Sequence, residues 1–171
     1  MLGFVTDSNG LFDLIGGLPV HPLIVHVAVI VLPAAALALI VIVLLPRSHR
    51  LVRWGVVAAL AVGALSVWVA AESGEALSDR VGEAAVHEAL AENLPVVAAV
   101  TLALGVIWAV IVEISARSAQ ATTSAAPSRG LRVLRVIASA ATVAIAAYAI
   151  YLTIVVGHSG AVATWLPRVG G

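Results

Sequence analysis

Cysteine is absent from this chain, which excludes disulfides, thiolate-ligated iron–sulfur clusters and covalently attached c-type haem. Lysine is absent as well, so all nine basic residues are arginine. The one methionine is Met1, which leaves no soft ligand set for copper(I). Charge is scarce at 11% and sums to zero, so there is no basic footprint for nucleic acid. What remains is apolar: 62% of 171 residues, with a mean hydropathy of +1.13. Soluble domains hold about 45–50% apolar and 25% charged residues. The chain therefore reads as one all-α integral membrane domain covering residues 1–171.

A span needs about 20 mostly apolar residues at 1.5 Å rise each. Four stretches qualify: Pro22–Leu45, Val52–Ala71, Leu94–Ile114 and Leu134–Val156. Pro22 suits the first turn of a helix and Pro46 ends it. Asn93-Leu94-Pro95 offers an N-cap followed by a helix-starting proline. Gly157 fits a C-cap for the fourth span. Pro33 is expected to kink the first helix and free a carbonyl near Val29.

Arginine placement sets the direction of the spans. Arg47, Arg50, Arg53, Arg117, Arg129, Arg132 and Arg135 fall on one side of the four. Asp7, Asp13, Glu72, Glu75, Asp79, Glu83, Glu88 and Glu92 fall on the other. The positive-inside rule then predicts a four-helix bundle with both termini outside. No early basic residue or small-residue cleavage site marks a signal peptide. Residues 1–20 are expected to lie on the outer surface as a short interfacial helix. Residues Ser118–Ser128 are expected to form a flexible inner linker. In the outer loop His87, Leu90, Ala91 and Leu94 share one face at helical spacing, which predicts an extra interfacial helix.

Topology then gathers the histidines. His21 and His26 begin the first span, His87 precedes the third and His158 follows the fourth, all on the outer side. His49 alone lies inside, between Arg47 and Arg50. In a four-helix arrangement these outer ends lie within roughly 20 Å of one another. By depth along the helix, His26 is expected to be the most buried of them. Tyr148, Tyr151, Val155 and His158 share a face of the fourth span. Each residue also has a purely structural reading. An interfacial histidine can bond a carbonyl or headgroup, and Trp68 and Trp165 can be interface anchors. Gly55, Gly63 and Gly105 can be close-packing points, Glu72 and Glu75 outer caps, and Glu113 and Arg117 an i, i+4 pair.

The run GLPVHPLIVHVAVIVLP, followed by ESGEALSDRVGE, HEALAE and GHSGAVATW, resembles the bacterial membrane family known as domain of unknown function 2231. The likeness spans nearly the whole chain and is carried most specifically by His-Pro-x-x-Val-His. It implies a four-helix membrane domain in the bacterial cytoplasmic membrane. His21, His26, His87 and His158 match its motif histidines. Relatives fused to Rieske-type iron–sulfur or other redox domains imply electron transfer nearby. No such appended domain is expected within residues 1–171.

Three functions compete. A b-type haem needs axial imidazoles and an apolar slot. His26 with His87 or His158 would supply the first, and Tyr148, Tyr151 and Trp68 the second, with a redox protein at the outer face as partner. A bare zinc or copper site would draw on His21, His26, His87 and His158, joined by Glu72, Glu75 or Glu88. A non-catalytic membrane subunit or scaffold, able to oligomerise, would use the histidines only as hydrogen-bonding groups. A transporter is disfavoured, because charge within the spans is nearly absent and no discontinuous-helix signal is present. No Ser–His–Asp set is visible, so enzymatic chemistry is not expected from this chain alone.

Overall fold

The computed structural model describes residues 12–45, 48–82, 84–121 and 129–169. A two-stranded hairpin, β1 (Leu14–Ile15) and β2 (Leu18–Pro19), leads into α1 (Val20–Leu44). Beyond it come α2 (Arg50–Val81), α3 (Ala85–Ala91), α4 (Leu94–Ala121) and α5 (Arg129–Val169). α1, α2, α4 and α5 each contain a stretch long and apolar enough to cross a membrane, as the sequence predicts. Outward-facing Leu37, Ile137 and Ile154 are each more than half exposed. Such a surface suits lipid rather than water. The chain is a multi-pass membrane protein.

The helices run longer than the apolar spans. α2 continues through Glu72 and Glu75 to Gly82, whose φ of 92° is open to glycine and which closes the helix on the Ser78 carbonyl at 2.9 Å. α5 passes straight through Gly157, so that glycine is not a C-cap. α3 packs against this C-terminal part of α5 and gives it a tertiary partner. α1 likewise runs unbroken through Pro33. α4 begins at Leu94 as expected.

The expected N-terminal interfacial helix lies partly on residues 1–11, outside the described residues. The segment between them and α1 is not helical. Leu14 and Ile15 pair antiparallel with Pro19 and Leu18 across Gly16-Gly17, both at positive φ. Two such residues make the tight turn that matches strand twist. The expected linker lies mostly on residues 122–128, again outside the described residues, and its first residues, Ser118–Ala121, extend α4.

α1 and α4 each pack against both α2 and α5. Fully buried Leu32, Leu39 and Leu60 interlock with Ala36, Ala109, Ala146 and Ala149. Gly63 sets the α1–α2 approach: a Cβ there would stand 2.9 Å from the Leu32 Cα. Gly105 meets Leu60 and Leu39 in the same way at 3.3–3.4 Å, whereas Gly55 faces open space and is not a packing point. Most buried hydroxyls bond their own helix, while Thr142 donates across from α5 to the Leu104 carbonyl of α4 at 3.3 Å. Ser66, Thr101, Ser115 and Thr153 each donate to the carbonyl four residues back at 2.7–2.8 Å. Water cannot serve these groups in a hydrocarbon layer, so the backbone must.

At the end where α2 begins and α4 finishes, Glu113 does more than pair with Arg117. Its carboxylate meets Arg117 at 3.3 Å, Arg53 at 3.1 Å and Arg50 at 3.5 Å. Arg53 is buried, so Glu113 supplies the counter-charge that lets it stay there. Glu113→Gln is therefore expected to lower the thermal unfolding midpoint in detergent clearly more than Arg117→Ala. Equal effects would remove Glu113 from the centre of this cluster.

Candidate functional site

The opposite end holds the start of α1, the end of α2, α3, the start of α4 and the end of α5, and with them His21, His26, His87 and His158. His21 turns from α1 onto α2. Its Nδ1 lies 2.8 Å from the Ala70 carbonyl, and its ring fills the space a Cβ on Gly74 would need, at 3.2 Å. Ser73 Oγ bonds the Val69 and Ala70 carbonyls from beside it.

His87 repeats this arrangement on the other side. From α3 its Nδ1 reaches Ser159 Oγ on α5 at 3.0 Å, and its ring sits where a Cβ on Gly160 would come within 3.1 Å. Each histidine is thus received by a Ser-Gly pair, Ser73-Gly74 or Ser159-Gly160. The polar contact is the Ser159 hydroxyl for His87 and the Ala70 carbonyl, which Ser73 also bonds, for His21, and in both the glycine admits the ring.

These contacts fix the tautomers. A carbonyl only accepts, so His21 carries its proton on Nδ1 and donates it to Ala70. Ser159 Oγ lies 2.8 Å from the Val156 carbonyl, and with its hydroxyl donated there it accepts from His87 Nδ1–H. In both rings Nε2 is then the lone-pair nitrogen, with no hydrogen-bond partner among the described residues. With its hydroxyl turned to Val156, Ser159 does not donate to the imidazole, which is not the arrangement of a Ser–His nucleophile. A donor bond from one ring nitrogen, with the other left free, is the state in which imidazole ligates a metal.

A groove of about 760 Å3 opens between α3 and the last turns of α5. His87 and His158 both line it, with Val86, Leu90, Val155 and Val162 among its apolar walls. As expected, His87, Leu90 and Ala91 turn inward from α3, all half-buried. The expected depth order does not hold. His26 and His158 are exposed, and His21 and His87 are half-buried. Five residues turn a helix by about 140° beyond a full revolution, so two histidines so spaced face different ways. His26 donates Nδ1–H to the Pro22 carbonyl of its own helix at 2.5 Å.

The remaining candidates do not line the groove. Tyr148 and Tyr151 stack on each other at 6.3 Å on an exposed flank of α5. Trp68 is exposed and meets Phe12 edge-on at 5.8 Å. Glu72 is half-buried, and Glu75 and Glu88 are exposed, on α2 and α3. Among the described residues no three of His, Asp or Glu gather as a group able to hold a metal ion. Sequence reasoning missed Ser159, Gly160, Ser73 and Gly74 as the seats of the two histidines. The repeated Ser-Gly, once in ESGE and once in HSGA, was the available signal. No family model, curated protein or solved structure matches the chain.

Proposed function

We propose that the chain is a four-helix bundle of the bacterial cytoplasmic membrane with both termini outside, and that its outer end holds a b-type haem for electron transfer. His87 and His158 would hold it. One observation carries this reading. Ser159 Oγ engages His87 at Nδ1, which leaves Nε2 without a hydrogen-bond partner among the described residues beside an apolar groove that His158 also lines. The groove's size and apolar walls suit a flat, largely apolar macrocycle. Bound there, haem would supply one-electron redox chemistry to a partner protein at the outer face. The chain's own residues would orient the imidazoles and keep water from the macrocycle. His26, Tyr148, Tyr151 and Trp68 have no part in this version of the site.

A second reading, a non-catalytic subunit or scaffold, is favoured by the same two bonds. His21 to Ala70 ties α1 to α2, and His87 to Ser159 ties α3 to α5. Protein purified in mild detergent separates the two. Haem extracted at about one per chain supports the first. Colourless protein with stoichiometric zinc or copper supports a bare metal site. Protein that holds neither, and takes up no added haemin, supports the scaffold.

The orientation has its own test, made simple by the absence of native cysteine. On intact cells a membrane-impermeant maleimide is expected to label Glu88→Cys and spare Arg129→Cys. The reverse pattern would invert the bundle.

A further inference from the structure

The arginine-rich end carries a site of its own. Arg50, Arg53 and Arg117 surround the single carboxylate of Glu113, so among the described residues of this cluster positive charge exceeds negative by two. Arg53 donates to the Ser48 carbonyl and to Glu113, yet its buried Nε has no partner among the described residues. α2 begins here as well. Its first turn holds no acid, and its N-cap, His49, makes no side-chain cap bond. The start of α2, uncapped by the His49 side chain, therefore adds a positive dipole end to the guanidinium groups.

Between α2 and α4 this corner opens into a cleft of about 260 Å3, walled by Arg50, Trp54, Val110, Glu113, Ile114 and Arg117. The wall is charged at one end and apolar at the other. Along α4, Ile107, Val110 and Ile114 form an exposed apolar strip that ends at Arg117. A free anion would use only the charged end. A phospholipid with a net negative headgroup would use both, its phosphate at the arginines and its acyl chains along the strip. Trp54 sits at the junction, where an amphipathic ring belongs.

We infer that this cleft binds the phosphate of an anionic phospholipid, held by Arg50 and Arg117 with its acyl chains against α4. Glu113 and the buried Arg53 keep the two outer guanidinium groups in place. Arg50 and Arg117 side chains are 68% and 69% exposed, so replacing them leaves the fold standing.

Native mass spectrometry of the detergent-solubilised chain, titrated with phosphatidylglycerol, tests this. The wild type is expected to take one lipid specifically and to prefer it to phosphatidylcholine. Near a membrane surface each arginine strengthens such binding about fivefold. Arg50→Gln is therefore expected to weaken it about fivefold, and Arg50→Gln with Arg117→Gln about 25-fold, each with an unchanged thermal midpoint in lipid-free detergent. Equal affinity in wild type and double variant, no preference over phosphatidylcholine, or complete displacement of the lipid by millimolar inorganic phosphate would overturn the proposal.

Discussion

His87→Ala is expected to abolish uptake of haemin by the purified chain, while His26→Ala retains it within about twofold. The two residues look alike in the sequence, each a histidine near the start of an apolar span. The structure separates them. His87 lines the groove with its Nε2 unengaged among the described residues, and His26 faces outward and bonds its own helix. Ser159→Ala tests the arrangement from one step back. Loss of the hydrogen-bond partner behind a ligating histidine typically costs about 10–100-fold in affinity, so this variant should fall between wild type and His87→Ala. The serine hydroxyl also donates to Val156, and alanine leaves that helical carbonyl with its backbone partner. A titration followed in the Soret region gives the order directly. Equal haemin binding in wild type, His87→Ala and His26→Ala would mean the groove is not the site.

The second large effect concerns the fold. Gly63→Ala is expected to destabilise the protein by about 1–3 kcal/mol, the range for forcing extra volume into a packed core. The added Cβ would meet the Leu32 backbone at 2.9 Å, and a backbone atom cannot rotate aside as a side-chain end can. α1 and α2 would have to separate, which loosens the packing that small residues allow in a membrane. Gly55→Ala and Gly157→Ala are the matched controls, since a Cβ at either position meets nothing within 4 Å. Both are expected to stay within about 0.5 kcal/mol of wild type. Thermal or denaturant unfolding in one detergent, followed by helical circular dichroism, reads all three. A loss at Gly63 no larger than at Gly55 would contradict the close crossing.

The four spans could be read in advance, because apolar length is a strong one-dimensional signal. α3 was legible for a related reason: His87, Leu90 and Ala91 recur at helical spacing. Helix length was not. Outside the hydrocarbon a helix continues into polar sequence when tertiary contacts support it, so α2 and α5 overrun their apolar windows. The hairpin before α1 was present in the letters, since Gly16-Gly17 between apolar pairs is a turn signal, but the surrounding leucines suggested an interfacial helix instead. The facing of His21 and His26 was also computable from their spacing, and depth alone was the wrong guide. The Arg50–Arg53–Glu113 contacts could not be read, because nothing local in α2 points to a carboxylate on α4, 60 residues beyond Arg53.

The central claim is that imidazoles from α3 and α5 converge on one ligand through Nε2. Electron paramagnetic resonance of the ferric haem-loaded chain tests it most directly. The expected result is a low-spin bis-imidazole signal in the wild type that converts to high spin in His158→Ala. A wild-type chain that binds no haem, or a low-spin signal unchanged in both His87→Ala and His158→Ala, would contradict it.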